Sequence, residues 1–63
     1  MNRYHCYLVG AKHNVIDMKE IAADFDVKAV LLARDVAVRA GCSRFEVRQD
    51  ERLVRREELR ASA

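Results

Sequence analysis

The chain has 63 residues, a net charge of +2, and a composition that is 51% apolar and 35% charged. This length allows one small domain. The apolar fraction is too high for a mainly disordered chain, and charged residues interrupt every apolar run before it could span a membrane. Two cysteines are too few for a disulfide scaffold. We therefore predict a small globular protein that makes no membrane contact, in the cytoplasm, with reduced thiols.

Two strands are predicted in the first third of the chain. Residues 3–9 alternate between one face with Tyr4, Cys6 and Leu8 and a second face with His5, Tyr7 and Val9. A polar connection follows at 10–14, where Gly10 and Asn14 tolerate a positive φ. A second strand is predicted over 15–22, although residues 19–23 fit a helix equally well by propensity.

The central segment predicts a helix that packs closely on a sheet. Asp24 or Asp26 can cap its start, and Gly41 can end it after residue 40. Viewed along the axis, one side is polar and carries Lys28, Asp35 and Arg39. The opposite side is made of small residues, namely Ala29, Ala33, Val36, Ala37 and Ala40. Leu31 and Leu32 flank the polar stripe and are therefore the first candidates for a contact with another molecule.

The C-terminal third has one clear strand and one ambiguous segment. Residues 44–49 alternate, which predicts a half-exposed strand. Residues 51–60 fit either a hairpin strand after a turn at Asp50-Glu51 or a C-terminal helix with favourable Glu51–Arg55 spacing. We predict the hairpin and keep the helix as the alternative. The domain is predicted to cover residues 1–57, with a frayed tail over 58–63.

The order of these elements predicts an α+β fold. Two strands, one helix and two further strands give an antiparallel sheet in the order 2-1-3-4, with the helix packed on one face. The alternative has only three strands and ends in a second helix.

Three short segments also carry a resemblance to other proteins, namely Arg3-Tyr4-His5-Cys6-Tyr7, Ala23-Asp24-Phe25-Asp26 and Phe45-Glu46-Val47. In these segments the chain resembles a group of short bacterial proteins of β-β-α-β-β type, and the resemblance covers nearly the whole chain. The chain departs from that group in lacking a Gly near Asp50. The group has no known activity, so the resemblance implies a fold and no functional site.

No residue pattern predicts catalysis or a bound cofactor. Cys6 and Cys42 do not form the closely spaced ligand pairs of zinc fingers. His5 and Cys6 point to opposite faces of their strand and cannot share one metal ion. Gly-rich phosphate loops and nucleophile elbows are absent from the sequence. We therefore expect no enzyme activity, no metal and no cofactor.

Two functions remain, and both involve binding. We favour a protein-interaction module that binds itself as a homodimer or binds another protein, because ordering cost and apolar burial nearly cancel at this length. The candidate self-association residues are Leu31 and Leu32 on the helix, and Tyr7, Val9 and Val54 on the open sheet face. The alternative is a weak nucleic-acid-binding domain that uses Arg44, Arg48, Arg55 and Arg56.

Overall fold

The computed structural model describes residues 1–59 and consists of one sheet covered on one face by one helix. The elements in chain order are β1 (Asn2–Val9), β2 (Val15–Ala23), α1 (Asp26–Ala40), β3 (Arg44–Gln49) and β4 (Arg52–Glu58). The strands pair antiparallel in the order β2-β1-β3-β4. The predicted fold class and sheet order are confirmed. The alternative with a C-terminal helix is wrong, because the segment in question forms β4.

The core lies between α1 and the central strands β1 and β3. Alternate side chains of β1 face the helix, and each has a buried partner directly opposite in a neighbouring strand. Cys6 lies opposite Val47, and Leu8 lies opposite Phe45. Because directly opposite residues in an antiparallel pair point to the same face, these side chains form one apolar layer. All four are buried in the hydrophobic core.

The helix rests on this layer through small side chains. Ala29, Ala33 and Ala37 are each 0% exposed, whereas Val30 and Val36 lie half-buried at the margins. The predicted small face of the helix thus packs on the sheet, except that Ala40, in the last turn, is exposed. Methyl groups allow the helix axis to approach the sheet closely but remove little apolar area from water.

The two ends of α1 differ in how far they follow the prediction. Phe25 occupies the N-cap position without a side-chain hydrogen bond, and Asp26 is the first helical residue. The predicted cap by Asp24 or Asp26 is wrong, and the Asp26 carboxylate accepts hydrogen bonds from distant side chains instead. Gly41 ends the helix as predicted, with a left-handed φ of 70°, and its N–H donates to the Val38 carbonyl.

Residues other than glycine adopt the left-handed conformation in both hairpin turns. Asp50, at the first position of the two-residue β3–β4 turn, has a φ of 55°. In the β1–β2 connection, His13 has a φ of 63°, so the positive φ expected at Gly10 or Asn14 falls on a different residue. Asp and His accept this conformation more readily than most residues, which explains how the β3–β4 hairpin forms without a glycine.

Ordered structure extends beyond the predicted domain boundary at residue 57. β4 continues through Glu58, and Leu59 packs against the core. The Leu59 N–H donates to the Ser43 carbonyl at 2.8 Å. Residues 60–63 of the predicted tail lie outside the described residues. No helix in residues 1–59 is long and apolar enough to cross a membrane.

Candidate interaction surface

Two ion pairs connect α1 to β4. Arg34 donates through Nε to Glu57 Oε2 at 2.6 Å and through Nη2 to Glu57 Oε1 at 2.9 Å. Arg52 donates through Nη1 to Asp26 Oδ2 at 2.9 Å and through Nη2 to Asp26 Oδ1 at 3.1 Å. Paired N–H···O bonds of this kind fix direction as well as distance. They hold the first helical residue and a position two turns later against the same strand.

The pair at the start of the helix also reaches the core. Tyr4, which is buried on β1, donates its hydroxyl hydrogen to Asp26 Oδ1 at 2.8 Å. The hydrogen bonds from Arg52 and Tyr4 lower the pKa of Asp26 to about 2. The ion pair with Arg34 likewise lowers the pKa of Glu57. Both carboxylates are therefore ionised at neutral pH and act as structural links rather than as proton donors.

A groove of about 300 Å³ lies between α1 and β4, and we call it the α1–β4 groove. Its walls are formed by Asp26, Val27, Val30, Leu31, Arg34, Val54 and Arg55. The four aliphatic side chains give it an apolar lining, and the charged groups at its rim are members of ion pairs. Such a lining favours contact with an apolar side chain over chemical catalysis.

A row of side chains, most of them exposed, runs along α1 beside this groove. It consists of Val27, Leu31, Arg34 and Val38, and we call it the α1 seam. Successive members are four, three and four residues apart, so they share one side of the helix. Val27, Leu31 and Val38 are 65%, 55% and 60% exposed. The largest apolar side chains on this side of the helix therefore face water.

Leu32 belongs to a different part of the surface. It is 39% exposed, but it lies across the polar stripe of Lys28, Asp35 and Arg39 from Leu31. The two leucines, which were predicted to flank the polar stripe, thus occupy separate flanks of the helix. Leu31 lines the α1–β4 groove, and Leu32 does not.

The open sheet face keeps only one of its three predicted contact residues. Tyr7 is half-buried and lies opposite Glu46 and Met18 of the neighbouring strands. Val9 is 2% exposed, so the prediction that it offers a contact surface is wrong. It lies at a register shift at the end of β1, where its carbonyl accepts a hydrogen bond from Ser43.

Val54 also lies elsewhere than expected, because the pairing of β3 with β4 is irregular. The register shifts between Val47 and Arg48, and Val54 is the extra residue on β4. This displaces Val54 from the simple alternation of faces. The side chain lines the α1–β4 groove and packs against the core.

The four arginines of the predicted nucleic-acid surface do not form one basic patch. Arg48 and Arg56 both lie near the Glu46 carboxylate, at 3.4 and 3.6 Å. Arg55 pairs with Glu57 and lines the α1–β4 groove. Nε of the fourth, Arg44, is enclosed without a hydrogen-bond partner in residues 1–59. Carboxylates thus offset three of the four positive charges locally.

The two thiols lie inside the protein. Cys6 and Cys42 are free and buried, and Cys42 Sγ–H donates to the Ala37 carbonyl. Burial, with a smaller contribution from Cys42, raises the pKa of Cys6 to about 11, so this thiol stays protonated at neutral pH. In residues 1–59, no group of three His, Cys, Asp or Glu side chains could hold a metal ion.

The sequence did not predict most of the residues that line the α1–β4 groove, or the two ion pairs beside it. Val27 and Val38 had a detectable signal, because their spacing from Leu31 follows the helical repeat. The two ion pairs had none, since their partners are 23 and 26 residues apart. No protein-family model, curated protein or solved structure matches the chain.

Proposed function

We propose that this protein is a small, non-enzymatic interaction module that self-associates. One observation carries the proposal. The helix buries only alanines, Ala29, Ala33 and Ala37, while its larger apolar side chains in the α1 seam remain more than half exposed. This reverses the usual arrangement of an amphipathic helix, in which the large apolar side chains face the core.

Association would remove this exposed apolar surface from water. Monomeric soluble proteins rarely expose large contiguous apolar patches, and such patches commonly mark contact sites. A domain of this size also buries a smaller fraction of its surface than a larger one does. Contact with a second copy therefore adds burial that the single chain does not provide. Because only folded chains associate, the association stabilises the fold by mass action.

The first test compares thermal stability with molecular mass over about a hundredfold range of protein concentration. We expect the melting temperature to rise with concentration, and light scattering to show a change from monomer to dimer over the same range. A constant melting temperature together with a monomer mass throughout would refute the proposal.

The same assay can locate the contact on the helix. We expect Leu31→Ser to reduce the dimer fraction while the circular dichroism of the dilute protein stays unchanged. Leu53→Ser is the matched control, because Leu53 is an exposed leucine on β4 that lies opposite Arg48 and outside the groove. Equal losses of association in both variants would contradict a contact at the helix.

A further inference from the structure

The α1 seam has the spacing of a coiled-coil interface. In such interfaces, positions a and d alternate at intervals of three and four residues along the helix. Leu31 and Val38 fit position a, and Val27 and Arg34 fit position d. All three aliphatic members are more than half exposed. The seam spans 12 of the 15 helical residues, from Val27 to Val38.

We propose that two copies of the chain pair through the α1 seam with their helices antiparallel around a two-fold axis. This inference rests on the proposed self-association and names its interface. In an antiparallel pair, position a of one helix faces position d of the other. Val27 then meets Val38 of the second copy, and Leu31 meets Arg34 of the second copy. Every seam residue acquires a partner, and the two-fold axis repeats each contact.

Arg34 can occupy an apolar seam because its charged group is already engaged. The guanidinium is held by both oxygens of Glu57, on the side of the helix that faces β4. The methylene groups of its side chain remain as an apolar surface on which a leucine can pack. A parallel pair would instead bring the two Arg34 side chains against each other, since position d then faces position d.

The charges beside the seam match the antiparallel arrangement. Lys28 and Asp35 each follow a d residue and take position e, which lies next to the seam. In an antiparallel pair, Lys28 faces Asp35 of the second copy, and the two-fold axis creates the same ion pair a second time. Both side chains are exposed, so they can pair across the interface without rearranging the core. The seam thus combines apolar contact with complementary charge.

A second exposed apolar surface, on β2, is less suited to pairing with a second copy. Val15, Ile16 and Met18 are exposed along this edge strand. However, Asp17 and Lys19 point toward the helix side of the sheet, and inward charges on an edge strand oppose the addition of another strand. The Asp17 carboxylate also accepts the Met18 backbone N–H at 2.8 Å, which occupies a donor of this strand.

Charge exchange at the e positions tests the interface. Lys28→Asp leaves acidic groups at both e positions, and Asp35→Lys leaves basic groups at both. Each variant alone places like charges together, so we expect its dimer dissociation constant, measured by analytical ultracentrifugation, to rise about tenfold. An equimolar mixture of the two variants restores complementary pairs, as does the double variant Lys28→Asp/Asp35→Lys. We expect both to dimerise like the wild type.

Two control variants distinguish this interface from other surfaces. Leu32→Ser changes an exposed leucine on the opposite flank of the polar stripe, and we expect it to leave dimerisation unchanged. Met18→Lys adds a charge to the edge of the sheet, and we expect the same result. Circular dichroism of each variant confirms that it is folded.

The outcomes separate the interface from self-association itself. If the wild type forms dimers and both single charge variants dimerise equally well, the α1 seam is not the interface, although self-association stands. Loss of dimers in Met18→Lys alone would move the interface to β2. A wild-type chain that stays monomeric at every concentration would refute both proposals.

Discussion

The two edges of the sheet hold the helix in different ways. On the β4 side, two arginine–carboxylate ion pairs fix α1 at Asp26 and Arg34. On the β2 side, no side-chain hydrogen bond within residues 1–59 joins the strand to α1, and the contact is apolar, through the buried Ile21 and Ala23. The difference shows how a domain with a small core uses directional polar contacts at one edge and non-directional burial at the other.

β2 itself consists of a buried end and an exposed end. Ile21 and Ala23, at the C-terminal end, are buried, whereas every residue from Val15 to Glu20 is exposed. The strand therefore gains its packing energy from one end only. Substitutions at the two ends of this strand should therefore show how much of its stability comes from packing on the helix and how much from strand pairing alone.

Ile21→Ala is expected to have the largest effect, because it removes most of the buried apolar side chain on the β2 edge. Truncation of a buried isoleucine to alanine costs about 2–5 kcal/mol. We expect the free energy of unfolding, measured by urea titration of dilute protein, to fall by an amount in this range. Ile16→Ala on the exposed half is the matched control, with an expected change of about 0.5 kcal/mol or less. Equal losses of unfolding free energy in the two variants would contradict the conclusion that only one end of β2 contributes packing.

Glu57→Gln should have a smaller effect, because it weakens the polar attachment of the helix without opening a cavity. The substitution removes the negative charge that Arg34 contacts with two nitrogens. We expect a lower urea midpoint than for the wild type, with a difference that shrinks in high salt because the pair is partly solvated. Glu58→Gln, on the neighbouring exposed residue, should leave the midpoint unchanged. A salt-independent loss would indicate packing rather than charge.

A further expected effect concerns how stability depends on pH in acid solution. The pKa of Asp26 is about 2 in the folded chain, below its ordinary value of 3.8. A depressed carboxylate pKa stabilises the fold above the ordinary value, and this contribution is lost as pH falls toward the folded pKa. We therefore expect Asp26→Asn to flatten the decline in the urea midpoint between about pH 4 and pH 2. Asp24→Asn should retain the wild-type decline, and an equally flat profile there would contradict the assignment to Asp26.

Most of the fold could be predicted because its signals are local. Alternation along β1 and β3, and a glycine directly after the small-faced helix, predicted the elements, and a right-handed crossover then predicted the sheet order. The position of Val54 could not be predicted, because a single extra residue on β4 changes the face of the sheet on which the neighbouring side chains lie. Alternation along β1 did not reveal the burial of Val9, which keeps its regular pairing with Arg44 of β3, while Ile16 is the residue left unpaired on β2.

The candidate site was less accessible to sequence reasoning. Leu31 lies in the α1–β4 groove as one of the predicted contact residues, and its role in self-association stays a prediction. The pairing of Arg34 with Glu57 could not be foreseen, because the last third of the chain offers several carboxylates of equivalent chemistry. Tertiary structure alone selects one of them.

The contact between the alanines of α1 and the sheet affects which helix residues can be substituted without loss of the fold. Because the fully buried helix residues are alanines, the exposed residues of the helix can change without altering the core. The buried alanines and the exposed Val27, Leu31 and Val38 are thus separate sets of residues on one element. Such a helix can acquire or lose binding partners through substitutions at Val27, Leu31 or Val38 while the same scaffold is kept.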